Sequence, residues 1–106
     1  MQSSSYFSGI VKILESPKQK IINNKIINVK LRVLISQIRR NKFPKTVSLI
    51  FWGNLANDVD NYYKVNDYIL IEGYVSIEIN KKRDSMFFNS KKVKITVLKV
   101  YPFLLK

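Results

Sequence analysis

The sequence predicts an all-β domain, a barrel of five strands with one short helix between the third and fourth strands. Apolar and polar residues alternate in five segments, the spacing becomes helical only after Trp52, and Gly9 and Gly73 lie inside strand segments. A chain of 106 residues can bury one core but not two. We therefore expect a single domain over residues 1–106, with its core over about 6–101.

The first two strands are predicted from their alternation. The first runs from Tyr6 to Leu14 and ends before Ser16-Pro17. Residues 18–25 are predicted as a basic turn region with Asn23-Asn24 at its tip, and the second strand follows over 26–35. The predicted core face of that strand is Ile27, Val29, Leu31, Val33 and Ile35, and its outer face is Asn28, Lys30 and Arg32.

The middle of the chain, residues 46–73, carries the strongest pattern. In the third strand, residues 47–52, the tryptophan Trp52 lies on the face opposite the core set. A short helix is predicted next, with Asn54 as its N-cap and Asn66 at a positive φ after it. The fourth strand follows over 68–79, with Gly73 predicted at a bulge or a close backbone approach, and the last strand runs near 93–101. The predicted core residues of the fourth strand are Ile69, Ile71, Val75, Ile77 and Ile79.

Composition restricts the function. The chain has no histidine and no cysteine, which excludes a disulfide framework, the usual zinc sites and Cys/His nucleophiles. Asp58 and Asp60 are two apart on the predicted helix and do not face each other, so we expect neither a metal-dependent nuclease nor any other enzyme, and no cofactor. No segment has the length of a membrane span, and the first residues do not have the pattern of an export signal.

The charge points to a polyanionic partner. Nineteen Lys and Arg against seven Asp and Glu give a net charge of +12, and nucleic acid is the commonest partner of so basic a chain. An AT-rich coding sequence also enriches lysine, but it does not explain why acidic residues are so few. Basic residues interleaved with aromatic ones are what a groove for single strands needs.

Five strands with one helix after the third are the pattern of the OB-fold, in which strands two and three and the 1–2 and 4–5 loops bind oligonucleotides. The basic loops of residues 36–45 and 80–85 flank this region. The predicted nucleic-acid-binding residues are Trp52, Lys30, Arg32, Arg39, Arg40, Phe43, Tyr74, Lys82, Arg83, Phe87 and Phe88.

The middle block resembles the single-stranded DNA-binding protein family of bacteria and organelles. Residues 51–56 (Phe-Trp-Gly-Asn-Leu-Ala), Tyr62, Asn66-Asp67 and residues 71–73 (Ile-Glu-Gly) resemble the signatures of this family at matching spacing. The resemblance covers about residues 6–101. It implies an OB-fold that binds single-stranded DNA in replication and repair, with Trp52 at a position where the family stacks an aromatic ring on a base.

The sequence also departs from the family. Thr46 and Ser48 stand where bacterial members often carry a stacking tryptophan and a basic residue, and Asn80 replaces an aromatic residue. We therefore expect modest affinity per subunit. The chain ends in an apolar and basic segment, Tyr101–Lys106, so we expect it to lack the acidic tail through which bacterial members recruit other proteins.

Other interpretations remain open. A short basic chain of this type also resembles the primosomal replication accessory protein of bacteria, which is a dimeric OB-fold, and the same chemistry suits an RNA-binding OB module. The resemblance and the apolar C-terminal segment lead us to expect a homodimer or homotetramer. The AT-rich composition suits a protein encoded in a plastid genome or, failing that, one of a bacterial cytoplasm.

Overall fold

Six strands and one helix form in residues 5–35, 46–80 and 90–103, the residues that the computed structural model describes. They are β1 (Ser5–Ile13), β2 (Lys18–Ile22), β3 (Lys25–Ile35), β4 (Thr46–Trp52), α1 (Asn54–Tyr62), β5 (Tyr68–Asn80) and β6 (Ser90–Phe103).

Five of the strands close into a ring. The order is β1-β5-β6-β4-β3, and β3 pairs again with β1, where Val11 lies opposite Ile35. All these pairings are antiparallel except that of β4 with β6, where Leu49 lies opposite Ile95. The helix follows the third strand of this ring. The predicted all-β OB-fold barrel is therefore confirmed, with β2 added outside the ring as an edge strand on β3.

The core lies inside the ring because each strand turns alternate side chains inward. Phe51 is fully buried between the strands, and Ala56 and Val59 of α1 close the barrel beside β3 and β4. Full burial of a large apolar side chain stabilises the fold by roughly 1.5–3 kcal/mol. The buried core residues are Val11, Ile13, Val29, Leu31, Val33, Val47, Leu49, Phe51, Ala56, Val59, Ile69, Ile71, Ile95 and Val97.

Gly73 marks the close approach that its position in the fourth predicted strand indicates. A Cβ added there would collide with the backbone carbonyl oxygen of Thr96 on β6. The register of β5 against β6 also shifts between Glu72 and Gly73. Only glycine lets the two backbones approach this closely, so the prediction of a bulge or close approach is confirmed.

The turn region predicted over residues 18–25 is wrong in its first part. Lys18–Ile22 form β2, which pairs with β3, and only Asn23 and Asn24 turn, with φ of 51° and 64°. Every residue of β2 is exposed. An edge strand that buries no face shows no apolar alternation, so its sequence could not distinguish it from a loop.

Ile27 was predicted on the core face of its strand, but it is not among the residues that form or contact the core. The pairing of β2 with β3 shifts between Lys20 and Ile21, because Lys20 lies opposite Asn28 and Ile21 lies opposite Ile26. Ile27 is thus one extra residue in β3, and Ile26 packs against the core in its place. A β-bulge reverses the faces beyond it, and the alternation of the sequence does not reveal where one occurs.

The helix begins one residue earlier than predicted. Gly53, and not Asn54, is the N-cap, with φ 59° and ψ −128°, and its carbonyl oxygen accepts from the amide of Ala56 at 3.1 Å. Such a conformation favours glycine over any residue with a side chain. Asn66 has φ 77° as predicted.

Ile77 does not join the core. Its side chain is 60% exposed, whereas Ile69 and Ile71 on the same strand are fully buried. The pairing of β1 with β5 ends at Ser5 and Val75, so Ile77 lies beyond the point where the barrel closes. Within the described residues, no helix is both long enough and apolar enough to span a membrane.

Candidate nucleic-acid interface

The outer side of β3 and β4 brings three of the predicted site residues onto one surface. In the antiparallel register, Asn28 lies opposite Trp52 and Lys30 opposite Ile50, and Arg32 follows on the same face of β3. Directly paired residues of adjacent strands project to the same side of the sheet, with about 4.8 Å between the strands. Trp52, Lys30 and Arg32 therefore lie on one outer surface of the barrel, with Lys30 between the other two along the strands.

Trp52 presents its ring to solvent. Its side chain is 49% exposed, while Phe51, the preceding residue, is fully buried in the core. Alternation along β4 thus sends one aromatic ring inward and the next outward. An indole that is half exposed offers aromatic surface to a planar ring from solvent.

Strand β2, which was predicted as part of a turn region, extends this surface with further cations. Lys18 lies opposite Lys30, and Lys20 lies opposite Asn28, and all three lysines are exposed. No alternation marked β2, so only its position next to the Asn-Asn tip of a hairpin could have indicated it. We call the outer residues of these three strands the basic face: Lys18, Lys20, Asn28, Lys30, Arg32, Ser48, Ile50 and Trp52.

Arg32 carries a contact that the sequence did not predict. Its Nε donates to Oε1 of Glu15 at 3.1 Å, and its backbone amide donates to Oε2 of the same carboxylate at 3.1 Å. The side chain of Arg32 is 61% exposed, so the ion pair itself contributes only about 0–1 kcal/mol to stability. The carboxylate nevertheless offsets part of the positive charge that Arg32 offers to an anion.

Tyr74 lies on a different part of the barrel, because β6 separates β5 from β4. It is directly opposite Tyr6 of β1, and the two rings meet edge to face with centroids 5.5 Å apart. The structure therefore does not bring Tyr74 next to Trp52. The outer residues here, which we call the tyrosine face, are Tyr6, Glu72, Tyr74, Lys99 and Tyr101.

One hydrogen bond joins two residues of the tyrosine face. The hydroxyl of Tyr6 donates to Oε1 of Glu72 at 2.6 Å. This bond is the main reason that the pKa of Tyr6 is raised from 10.0 to about 12, with smaller contributions from desolvation and from the negative charge of Glu72. Deprotonation of Tyr6 would destroy the bond and place two negative charges together.

The other predicted site residues lie outside the described residues: Arg39, Arg40, Phe43, Lys82, Arg83, Phe87 and Phe88. Their role stays a prediction. Among the residues that the structure describes, no group of three or more acidic side chains is arranged to hold a metal ion. What the basic face offers chemically is an exposed ring next to several cations.

Comparison with known proteins gives one relative over nearly the whole chain. A protein of Trieres chinensis with the name "Putative single-stranded DNA-binding protein ycf41" is 38% identical over 102 residues, which span 95% of this chain and 90% of that protein. No protein-family model matches the chain.

Solved structures show the same fold at low sequence identity. The small single-stranded DNA-binding protein from Streptomyces coelicolor superposes with a TM-score of 0.77 at 12% identity, with 97% of both chains covered. The second single-stranded DNA-binding protein (SSBb) of Mycobacterium smegmatis gives 0.68 at 22% identity, covering 94% of this chain and 89% of its own. The mitochondrial single-stranded DNA-binding protein Rim1 of S. cerevisiae gives 0.70 at 8% identity, covering 94% and 95%.

Proposed function

The chain belongs to the single-stranded DNA-binding protein family of the bacterial and organellar OB-fold type, and from this membership we propose that it binds single-stranded DNA with little regard to sequence. The basic face is the surface that we assign to this task. Bases stack on Trp52, and the surrounding cations attract the phosphates. The binding serves replication and repair, and the protein acts as a binder and not as an enzyme.

The observation that carries the proposal is the position of Trp52. Its ring is half exposed on the outside of the barrel, within one or two strands of Lys20 and Lys30. A single-strand groove combines a cationic track for the backbone with aromatic rings for the bases, and this surface supplies both.

Phosphate neutralisation and base stacking contribute to binding in ways that salt dependence can distinguish. Each phosphate that a cation neutralises releases counterions and adds about −0.7 to the slope of log affinity against log salt for single strands. Stacking of one base on an aromatic ring contributes roughly 1–3 kcal/mol and depends little on which base it is. With one tryptophan and several lysines on the face, the charge contribution should dominate, and affinity should fall steeply with salt.

Self-association would raise this affinity by joining several basic faces, and we propose a homodimer or homotetramer. The tyrosine face supports this. It exposes Tyr6, Tyr74 and Tyr101, while Glu72 offsets the charge of Lys99. Two copies that each carry +12 repel one another least where few cations meet.

For localisation we propose the plastid. The support is the relative's designation, ycf41, which is given to plastid-encoded gene products, together with the AT-rich composition of this chain.

A competition titration tests the function. A fluorescent oligothymidylate is bound by the protein and then displaced by unlabelled single-stranded DNA, duplex DNA and RNA of equal length. We expect single-stranded DNA to displace the probe at the lowest concentration and duplex DNA to displace it at a concentration at least tenfold higher. Displacement by RNA at equal or lower concentration would instead assign the face to an RNA-binding module.

A further inference from the structure

Among the residues that the structure describes, Asn28 is the only polar residue that is buried. It is 4% exposed, although it lies on the outer side of β3 and directly opposite Trp52. Its neighbours on that side, Lys30 and Arg32, are exposed. A largely covered amide beside exposed cations needs an explanation, because the polar groups of such an amide must bond to protein, water or a ligand.

The amide of Asn28 has no hydrogen-bond partner among residues 5–35, 46–80 and 90–103. In the same part of the chain, every side-chain nitrogen or oxygen that is sealed from solvent has a partner. The nitrogen and oxygen of Asn28 therefore still reach the surface, although the rest of the residue is covered. The donor and the acceptor are thus accessible on the outer side of the sheet, in the position opposite the indole.

Four paired residues surround this position on the outer side of the sheet. Asn28 and Ile50 lie on one diagonal of the β3–β4 lattice and are each 4% exposed. Trp52 and Lys30 lie on the other diagonal and are both exposed. The lattice spacing is about 4.8 Å between strands and about 6.8 Å between alternate residues of one strand, which is close to the width of a nucleobase.

We propose that the side-chain amide of Asn28 hydrogen-bonds the edge of the base that stacks on Trp52. Asparagine carries two donors and an acceptor on one planar group, which matches the adjacent donors and acceptors on the edges of the bases. Lys30, in the neighbouring row, then lies where the phosphate of the same nucleotide can be neutralised. This inference rests on the proposed function and adds a polar contact to a base that stacking alone would bind indifferently.

The test compares thymine with its nonpolar isostere 2,4-difluorotoluene, which has nearly the same shape but only weak hydrogen-bonding groups. Three strands of equal length are titrated against the full chain: all thymine, all difluorotoluene and fully abasic. We expect the wild-type protein to bind the thymine strand about fivefold more tightly than the difluorotoluene strand, as the loss of one hydrogen bond implies. Equal affinity within twofold would overturn the proposal.

Substitutions test whether the preference for thymine over difluorotoluene depends on Asn28. In Asn28→Ala the affinities for the thymine and difluorotoluene strands should differ by less than twofold. Lys30→Ala should weaken the binding of both strands and leave the ratio of their affinities unchanged. Asn28→Leu, which fills the same space, serves as a second variant if the alanine variant does not fold. A preference retained in either Asn28 variant would overturn the proposal, because another residue would then contact the base edge.

Failure of the proposed function gives a different result. If the wild-type protein binds the abasic strand as tightly as the thymine strand, no base is contacted, and both the stacking on Trp52 and the contact with Asn28 are refuted. If difluorotoluene and thymine bind equally, but both more tightly than the abasic strand, stacking stands and only the Asn28 contact is refuted.

Discussion

The basic face and the tyrosine face are two outer surfaces of one barrel, built by the same alternation and different in chemistry. On the basic face, Lys18, Lys20 and Lys30 share the outer surface with one half-exposed indole. On the tyrosine face, Tyr6 and Tyr74 pack edge to face, and Glu72 accepts a hydrogen bond from the first of them. The strands fix which residues point outward, but the outward residues alone decide what each surface can bind.

Exposed aromatic residues suit different partners according to the residues around them. An indole among cations suits a stacked base and its phosphate. Tyrosines that contact each other and a carboxylate suit protein contact, because a carboxylate repels phosphate and a tyrosine can pack while its hydroxyl stays bonded.

The largest effect is expected at the barrel itself. Gly73→Val places a branched side chain against the carbonyl of Thr96, and it should lower the free energy of unfolding by about 3 kcal/mol or more. Both faces should then lose function together. Chemical denaturation measures the change, with Ser8→Val, at an exposed position of β1, as the control that should differ by less than about 0.5 kcal/mol. A fully stable Gly73→Val protein would contradict the close approach of β5 and β6.

The second prediction compares one aromatic residue from each face. Trp52→Ala should weaken binding of single-stranded DNA by about 1–3 kcal/mol. The salt slope should hardly change, because the substitution removes a stacking contact but no cation. Tyr74→Ala should leave affinity per subunit within twofold and weaken self-association. Anisotropy titration and analytical ultracentrifugation measure the two quantities. If Tyr74→Ala costs as much affinity as Trp52→Ala, the DNA path crosses β6 and the two faces act as one.

The third prediction distinguishes two cations of the basic face. Lys30→Ala should reduce the salt slope by about 0.7, one phosphate contact. Arg32→Ala should reduce it by less, because Glu15 already offsets the guanidinium. Conversely, Glu15→Gln should steepen the slope by releasing Arg32. Titration at four salt concentrations gives the slopes, and equal losses for Lys30→Ala and Arg32→Ala would show that the ion pair opens when DNA binds.

The smallest effect is confined to the tyrosine face at high pH. Because the bond to Glu72 raises the pKa of Tyr6 to about 12, the folded protein holds this proton more tightly than the unfolded chain does. The stability that this bond contributes is thus present below pH 10 and is lost as the pH rises towards 12. Ultraviolet titration of phenolate should show one tyrosine ionising near 12, and Tyr6→Phe should remove that step. Persistence of the step in Tyr6→Phe would assign it to another tyrosine.

Much of the fold was predictable because burial leaves a regular pattern. Val29, Leu31 and Val33 alternate with Lys30 and Arg32, which gives the face of β3 without any further information. Glycine at Gly73 and asparagine at Asn66 were also informative, since few other residues suit a close backbone contact or a positive φ. The way in which the strands close into a barrel was predicted from the element order and the family resemblance, because no local pattern contains it.

The rest depended on contacts between distant segments. Strand β2 has no buried face, so its pairing with β3 left no trace in the sequence, and Lys18 and Lys20 were missed as members of the basic face. The ion pair between Arg32 and Glu15 joins residues 17 positions apart and has no spacing rule. The outward position of Asn28 was predictable, but its burial was not, because that depends on how its neighbours cover it.

A fluorescence titration of Trp52 with oligothymidylate at low and moderate salt tests the central claim most directly. Trp52 is the one tryptophan of the chain, so the signal reports a single position on the basic face. We predict strong quenching on saturation at both salt concentrations, with affinity falling steeply as salt rises. Saturable binding that leaves the emission of Trp52 unchanged would contradict the account, since the strand would then pass over another surface.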